Sequence, residues 1–245
     1  MTTDAVPLGR LSTLQDPSDK DIARKIDEIA RLWKAGDLIV YLGADLYSES
    51  PEFPTEPAAL AAILSKRVAV PGRLSGRLHE IAQYIESHKH RKTLLSLMEE
   101  IFRKKVTPSP VHRLVQAFPI PLVVDTWYSP ESSELLVGPG DYQISGVSRA
   151  EYRDRWFRID GRTSSGWDPV EDVSPGSRVL YRPLGTMDPG VEVLVSDADY
   201  VEVLTEIDIR HPFRSLSRST AAAGTFSFSD AASTTRHPAS LHARS

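Results

Sequence analysis

An uninterrupted apolar run that ends in two small residues constrains the fold of this chain more than any other feature. The run Leu38-Ile39-Val40-Tyr41-Leu42 has β-branched or aromatic residues at three of its positions, which is typical of a central parallel strand covered on both faces. Gly43 and Ala44 then let the backbone turn tightly and approach a ligand closely, commonly the phosphates of a nucleotide. The pattern predicts the first strand and loop of a nucleotide-binding α/β domain.

Length and composition restrict the class of protein. The chain has 245 residues and is 40% hydrophobic, which suits one α/β domain with a tail. A net charge of -4 argues against nucleic-acid binding. No apolar run of roughly 18 residues predicts a membrane helix, and no segment after Met1 resembles a signal peptide. With no cysteine, disulfides and thiolate zinc sites are excluded. We expect a cytoplasmic protein that binds no metal, membrane or nucleic acid.

The spacing of apolar residues predicts alternating helices and strands. A helix begins at Asp16-Pro17-Ser18-Asp19, before the first strand. Further helices are predicted at 58–66, 79–87, 93–103, 112–118 and 197–207, and further strands at 120–125, 178–181 and 191–195. We expect a Rossmann-like three-layer α/β domain over residues 16–210, with helices on both faces of a parallel sheet and a small irregular insert at 141–176.

The two ends of the chain differ from this pattern. Residues 1–15 have the composition of a loose leader. Residues 221–245 contain no Ile, Val or Met and a single Leu, so they lack the apolar surface that would offset the entropy of ordering them. We therefore expect a disordered tail over 211–245.

Five short motifs follow one another in an order that resembles a known family. They are Gly43-Ala44-Asp45, Pro110-Val111-His112-Arg113-Leu114, Asp125-Thr126-Trp127-Tyr128, Tyr181-Arg182-Pro183-Leu184-Gly185-Thr186 and Leu194-Val195-Ser196-Asp197-Ala198-Asp199-Tyr200. Over about 38–204 the chain resembles the sirtuin-like (silent-information-regulator-type) domains of bacteria. Those domains bind NAD, and they are often fused to NTPases or found in antiphage systems. The resemblance implies a small nucleotide as ligand and a fused or associated NTPase or defence protein as partner.

The same resemblance implies which residues surround NAD or an NAD-derived nucleotide. The cofactor-binding residues carried over from the family motifs are Gly43, Ala44, Asp45, Thr126, Trp127, Tyr128 and Gly185. His79 and His112 are interpreted instead as packing or capping residues, and Asp197, Asp199 and Tyr200 as the start of a helix with a packed aromatic ring.

The chain departs from the family where the chemistry takes place. Trp127 stands where the family has the asparagine that holds the ribose and the water, and Leu184 stands where it has the histidine base. Leucine cannot accept a proton, and an indole offers a single donor. Asp45 and Tyr47 replace the third glycine and the serine of the first loop. Without cysteines the zinc module of protein-deacetylating sirtuins cannot form. A degenerate active site is therefore predicted.

The resemblance also bears on the tail. Codons permitted by residues 224–236, read from the third base, encode an apolar strand that resembles the family's next element. We hypothesise that the chain follows a frameshift somewhere after His211, which makes 211–245 a frameshift product.

Three functions remain open from the sequence. The first is a module in bacterial defence or signalling that binds NAD or a related nucleotide without cleaving it. The second is an active NAD hydrolase that releases nicotinamide, with Asp45 or Asp125 as a substitute acid or base. The third is a structural protein-interaction domain in which Trp127 is buried in a filled cleft.

Overall fold

The computed structural model describes residues 18–47, 53–104, 107–148 and 157–207; of Asp45 and of 203–207 it describes the backbone alone. The predicted leader at 1–15 and tail at 211–245 lie outside the described residues. Seven α-helices are described: α1 Asp19–Ala35, α2 Pro57–Arg67, α3 Leu78–Lys89, α4 Arg91–Phe102, α5 Pro110–Ala117, α6 Glu131–Leu136 and α7 Asp197–Ile207.

The local sequence explains where these helices begin and end. The Ser18 hydroxyl accepts the Asp21 N–H at the start of α1, and Gly36 ends that helix in the left-handed conformation, with φ 76°. Helix α5 begins with Ser109 as its cap and Pro110 in its first turn. The predicted helix starts at 16 and 112 were therefore displaced by two or three residues, because the serine of each cap fixes the first helical residue.

The main sheet has six strands, mostly parallel. The strands are β1 Ile39–Leu42, β2 Leu122–Asp125, β3 Tyr142–Gly146, β4 Phe157–Arg162, β5 Trp167–Val170 and β6 Val179–Arg182. Their order in the sheet is β1-β2-β6-β3-β4-β5. The first four in this order pair in parallel, whereas β4 and β5 pair antiparallel at one edge. The α/β class and the mostly parallel sheet that the sequence predicts are confirmed. The expectation that β1 is a central strand covered on both faces is wrong for the described residues, because β1 stands first in this order and Tyr41 is exposed.

The segment expected to be an irregular insert belongs to this sheet instead. Residues 141–176 supply β3, β4 and β5, and Ile144 pairs with Ile159 across the first two of them. These two side chains pack with Val179 in a buried cluster on one face of the sheet. The sequence predicts short strands and turns in this segment, including a strand at 156–160. Glycines at 146 and 161 and Pro169 weaken the apolar pattern, so it did not show that these strands join the main sheet.

The predicted strand at 191–195 forms a second, small sheet. Only Glu192–Val193, here β8, is a strand, and it pairs antiparallel with β7, Gly185–Thr186. This hairpin carries the chain from the end of β6 to the start of α7.

The core divides into three clusters with different partners. On one face of the sheet, Trp33 of α1, Val115 of α5 and Leu136 of α6 pack against strand residues such as Val123 and Leu180. Helices α2, α3 and α4 form a second cluster with the loop after β2 and with the segment around β8; none of its described members belongs to the six-stranded sheet. These three helices therefore cover loops that follow strands, and not a sheet face as the three-layer prediction implied.

Candidate functional site

The first two strands end side by side, and their loops are joined by hydrogen bonds. Leu42 pairs with Asp125 at the carboxyl ends of β1 and β2. The backbone N–H and the hydroxyl of Thr126 each donate to the Leu42 carbonyl, at 3.0 Å. Gly43, Ala44 and Thr126 are thereby brought to one edge of the sheet, which is where ligands bind in open α/β sheets.

This edge keeps a small open surface. Gly43 and Thr126 are exposed and Ala44 is partly exposed. A methyl group added at Gly43 would meet nothing within 4 Å. The loop after β1 continues into a single 3₁₀ turn at Ala44–Tyr47. Of the carried-over residues whose side chains are described, these three are the ones whose position leaves room for a ligand.

Trp127, at the family's asparagine position, is buried among the side chains of the second cluster. It is 3% exposed, and its indole N–H donates to the Pro54 carbonyl at 3.0 Å. Its ring centroid lies 6.1 Å from that of Phe102 and 5.3 Å from that of Tyr128. The indole is therefore packed on its neighbours and presents no face to a ligand.

Tyr128 is equally enclosed. Its hydroxyl donates to the Leu194 carbonyl at 3.0 Å, and burial raises its pKa well above the ordinary value. The phenol therefore stays neutral and joins the loop after β2 to the segment after β8. With Trp127 it forms the wall between the strand ends and helices α2 to α4.

Asp125 ends β2 with a carboxylate that solvent does not reach. It is 1% exposed, its Oδ1 accepts the Trp127 N–H at 2.9 Å, and its Oδ2 lies 3.9 Å from the Arg182 guanidinium. Burial raises the pKa of this carboxyl, and the positive charge of Arg182 opposes that shift. The arrangement holds the loop and gives a substrate no path to the carboxyl.

Arg182 is a central residue of the site that the sequence did not single out for a role. Its fully buried guanidinium donates to the carbonyls of Trp127 and Ser129, at 2.8 and 2.6 Å, and to the Ser133 hydroxyl at 2.8 Å. It therefore ties the last residue of β6 to the loop after β2 and to α6. An arginine in an apolar strand beside a family motif was the signal available in the sequence.

A buried triangle of polar side chains lies beneath the same loop. The Tyr47 hydroxyl is 3.4 Å from His112 Nε2 and 3.3 Å from the Ser132 hydroxyl, and His112 Nε2 is 3.2 Å from that hydroxyl. Burial lowers the pKa of His112 to about 4 and raises that of Tyr47. A neutral histidine paired with two hydroxyls resembles a catalytic arrangement, but all three groups are enclosed, so it joins α5 and α6 to the first loop.

The motif at the end of β6 contains Leu184 and Gly185. The contacts of both residues are explained by packing within the protein. Leu184 is half-buried against the second cluster. Gly185 has φ 89°, and a methyl group there would lie 2.0 Å from the Glu192 carbonyl oxygen. The close approach of β7 to β8 thus requires glycine at this position whether or not a nucleotide is bound.

The remaining residues that the sequence singled out, His79, Asp199 and Tyr200, make contacts around the start of α7. His79 Nδ1 lies 2.9 Å from the Val195 carbonyl oxygen, and its ring packs on Tyr200 with 4.4 Å between centroids. The Asp199 carboxylate accepts the N–H groups of Val195 and Ser196 at the start of α7. These residues pack and cap, as the sequence indicated.

A cleft of about 400 Å³ lies where parallel strands β3 and β6 begin, at the end of the sheet opposite to Gly43 and Thr126. Its walls include Asp141, Arg162 and Arg178. The Arg178 guanidinium donates to the carbonyls of Val115, Phe118, Ile120 and Leu136, so its donors are used in ending α5 and α6. This arginine is therefore a structural part of the cleft wall.

Within the described ranges, no group of three or more acidic or histidine side chains is placed to hold a metal ion. In the same part of the chain, no helix combines the length and the apolar character needed to cross a bilayer. Comparison with known proteins gives no match to a family model and none to a curated protein.

Proposed function

We propose that this chain is a Rossmann-type, sirtuin-like module that does not cleave NAD and acts by binding. The burial of Trp127 carries the part of this proposal that concerns cleavage, and it is also what the structural protein-interaction function implies. An indole that is bonded to Pro54 and packed on two aromatic rings fills the place where the family positions a ribose and a water. Moving the indole out would expose a large apolar side chain to water. The binding free energy of a small ligand would have to exceed the free energy lost in this exposure.

The acid–base groups that a hydrolase needs support the same proposal. Leu184 has no proton to exchange, and Asp125 is enclosed by the loop that its own carboxylate holds. General-base catalysis requires a group within hydrogen-bond reach of the substrate. The candidate carboxyl at position 125 lacks that reach, which argues against a hydrolase that uses Asp125; the side chain of Asp45, the other candidate, lies outside the described part of the chain.

The open surface at Gly43, Ala44 and Thr126 indicates how the module binds its ligand. We propose that it binds the phosphate portion of a nucleotide. Exposed glycine and alanine after a parallel strand allow close backbone approach by phosphate. In this proposal the nucleotide is NAD or an NAD-derived compound, and the module serves a bacterial defence or signalling system with a partner such as an NTPase.

Isothermal titration of the full chain with NAD and with ADP-ribose tests the nucleotide proposal. We expect heat of binding with wild type, loss of that heat in Gly43→Asp, and retention in Gly72→Asp. Both glycines have open space around a new side chain, so neither substitution is expected to disturb folding. A folded wild-type protein that gives no heat with either compound would contradict nucleotide binding and leave protein interaction as the function of the module.

A further inference from the structure

Helix α1 is amphipathic, but none of its residues is buried. Its apolar residues Ile22, Ile26, Ile29 and Trp33 are spaced four, three and four residues apart, which places them in one stripe. Ile26 is 59% exposed and Ile29 46% exposed, and no residue of the 17-residue helix is classed as buried. A helix stabilised by packing normally covers such a stripe, so this one lacks its partner among the described residues.

The stripe continues onto a second helix. At the end of α1, Trp33 packs edge-on against Phe118, with 5.5 Å between ring centroids. Phe118 follows Val111 and Leu114 of α5 at helical spacing, and these two are 39% and 45% exposed. The α1–α5 face is defined here by Ile22, Ile26, Ile29, Leu32, Val111 and Leu114.

The exposed large apolar side chains of the described residues are concentrated there. Apart from these six, only Tyr41 of β1 and Val201 of α7 belong to that exposed class. Together the six present on the order of 500 Å² of apolar surface, within the roughly 300–600 Å² of the largest patch on a typical monomer, and such a patch is often functional. With a polar rim it approaches the roughly 800 Å² that each partner contributes to a stable interface.

We propose that the α1–α5 face is a dimer interface that binds a second copy of this chain about a two-fold axis. Charge is the reason for choosing a second copy. One flank of the α1 stripe carries Asp21, Lys25 and Glu28, which alternate in sign. When a second α1 packs antiparallel about a two-fold axis level with residues 26 and 27, Lys25 of each copy faces Glu28 of the other.

The four–three–four spacing suits the same partner. Apolar residues at this spacing form the seam along which two helices pack at a shallow crossing angle. Ala23 and Ala30 lie on the other flank of the stripe, and such small residues allow close approach of the helices. The inference is independent of nucleotide binding, because none of these residues lies at the carboxyl ends of β1 and β2.

Sedimentation equilibrium of the full chain, with loading concentrations from micromolar to about 100 μM, tests the proposal. We expect a reversible dimer for wild type, weakened at least about 100-fold in Ile26→Glu because two buried charges then face an apolar seam. Val201→Glu is the matched control, since it places the same charge on an exposed apolar residue of another helix. Circular dichroism and the thermal midpoint of the dilute variants establish that the protomer stays folded.

Each outcome decides the proposal. Dimerisation of wild type and Val201→Glu with loss in Ile26→Glu supports it. A wild type that remains monomeric at about 100 μM contradicts it, whether another protein or another segment of the same chain covers the face. Equal dimerisation of all three proteins also contradicts it, because the interface then lies elsewhere.

Discussion

At the scale of single residues, the candidate site is a set of polar and aromatic side chains that hold loops together. Trp127, Tyr128 and Arg182 each bond a backbone carbonyl of another segment. Asp125 in turn accepts the N–H of Trp127. Buried polar groups that bond the backbone in this way fix one arrangement of the loop after β2. The same bonds are unavailable to a ligand.

The first prediction concerns Trp127. Replacement by alanine removes a large buried ring and is expected to lower the free energy of unfolding by about 3–5 kcal/mol. Trp127→Phe keeps a ring against Phe102 and loses the bond to Pro54, so its cost should be smaller by about half. Urea unfolding of the three proteins measures both values. A Trp127→Ala protein within about 1 kcal/mol of wild type would mean that the indole is not part of the core.

The second prediction concerns pH. Burial lowers the pKa of His112 from 6.5 to about 4, so the unfolded chain binds the proton more tightly than the folded one. The contribution of neutral His112 to the free energy of unfolding is therefore fully present above pH 6.5. It is lost as the pH drops towards 4, and the loss is about 2 kcal/mol at pH 4.5. Urea unfolding at pH 7.5 and 4.5 should show this loss in wild type and a reduced loss in His112→Gln.

Asp125 supplies the control for that measurement. The raised pKa of Asp125 has the opposite effect on stability. Because this carboxyl binds its proton more tightly in the folded protein, it makes the folded state more stable as the pH falls. Both proteins contain Asp125, so the difference between them isolates His112. Equal losses in wild type and variant would contradict a buried neutral histidine.

The sequence could place these residues near one another, but it could not show which way they face. The order of motifs put Asp125, Trp127 and Leu184 at strand ends, and parallel pairing of β1 with β2 brings the first two to one edge of the sheet. A tryptophan after a strand is equally compatible with stacking on a base and with burial. The choice depends on α2 to α4, whose packing involves contacts far apart in the chain.

At the scale of elements, strand recognition depended on how apolar the run of each strand is, and not on how deeply the strand is buried. The runs that became β1, β2 and β6 are apolar and were predicted within two residues. Strands β3 to β5 mix apolar and polar residues with glycine and proline, and their pairing is decided by partners and not by local propensity. Their membership in the main sheet is therefore a finding of the structure.

The third prediction concerns the hairpin of β7 and β8. Gly185→Ala places a methyl group 2.0 Å from the Glu192 carbonyl oxygen at a φ of 89°. Gly190 also has a positive φ, 75°, but open space around it. We expect Gly190→Ala to cost about 1 kcal/mol, from backbone strain alone, and Gly185→Ala about 3 kcal/mol or more. Urea unfolding compares them, and equal costs would argue against the close approach of the two strands.

At the scale of the whole molecule, packed side chains enclose most of the loop residues at the carboxyl ends of a mostly parallel sheet. One face carries α1, α5 and α6, while α2 to α4 enclose the loop that holds Trp127 and Tyr128. The described chain thus combines a mostly parallel α/β sheet with an interior that is packed where the sirtuin-like resemblance predicts chemistry. Our central claim is that such a module binds NAD or an NAD-derived nucleotide and does not cleave it.

Release of free nicotinamide from NAD by the purified full chain tests that claim most directly. We expect a rate equal to that of a blank without protein, both for wild type and for Asp125→Asn, while the protein is folded by circular dichroism. Nicotinamide release by wild type that Asp125→Asn abolishes would contradict the claim, because it would show a working acid or base at the end of β2.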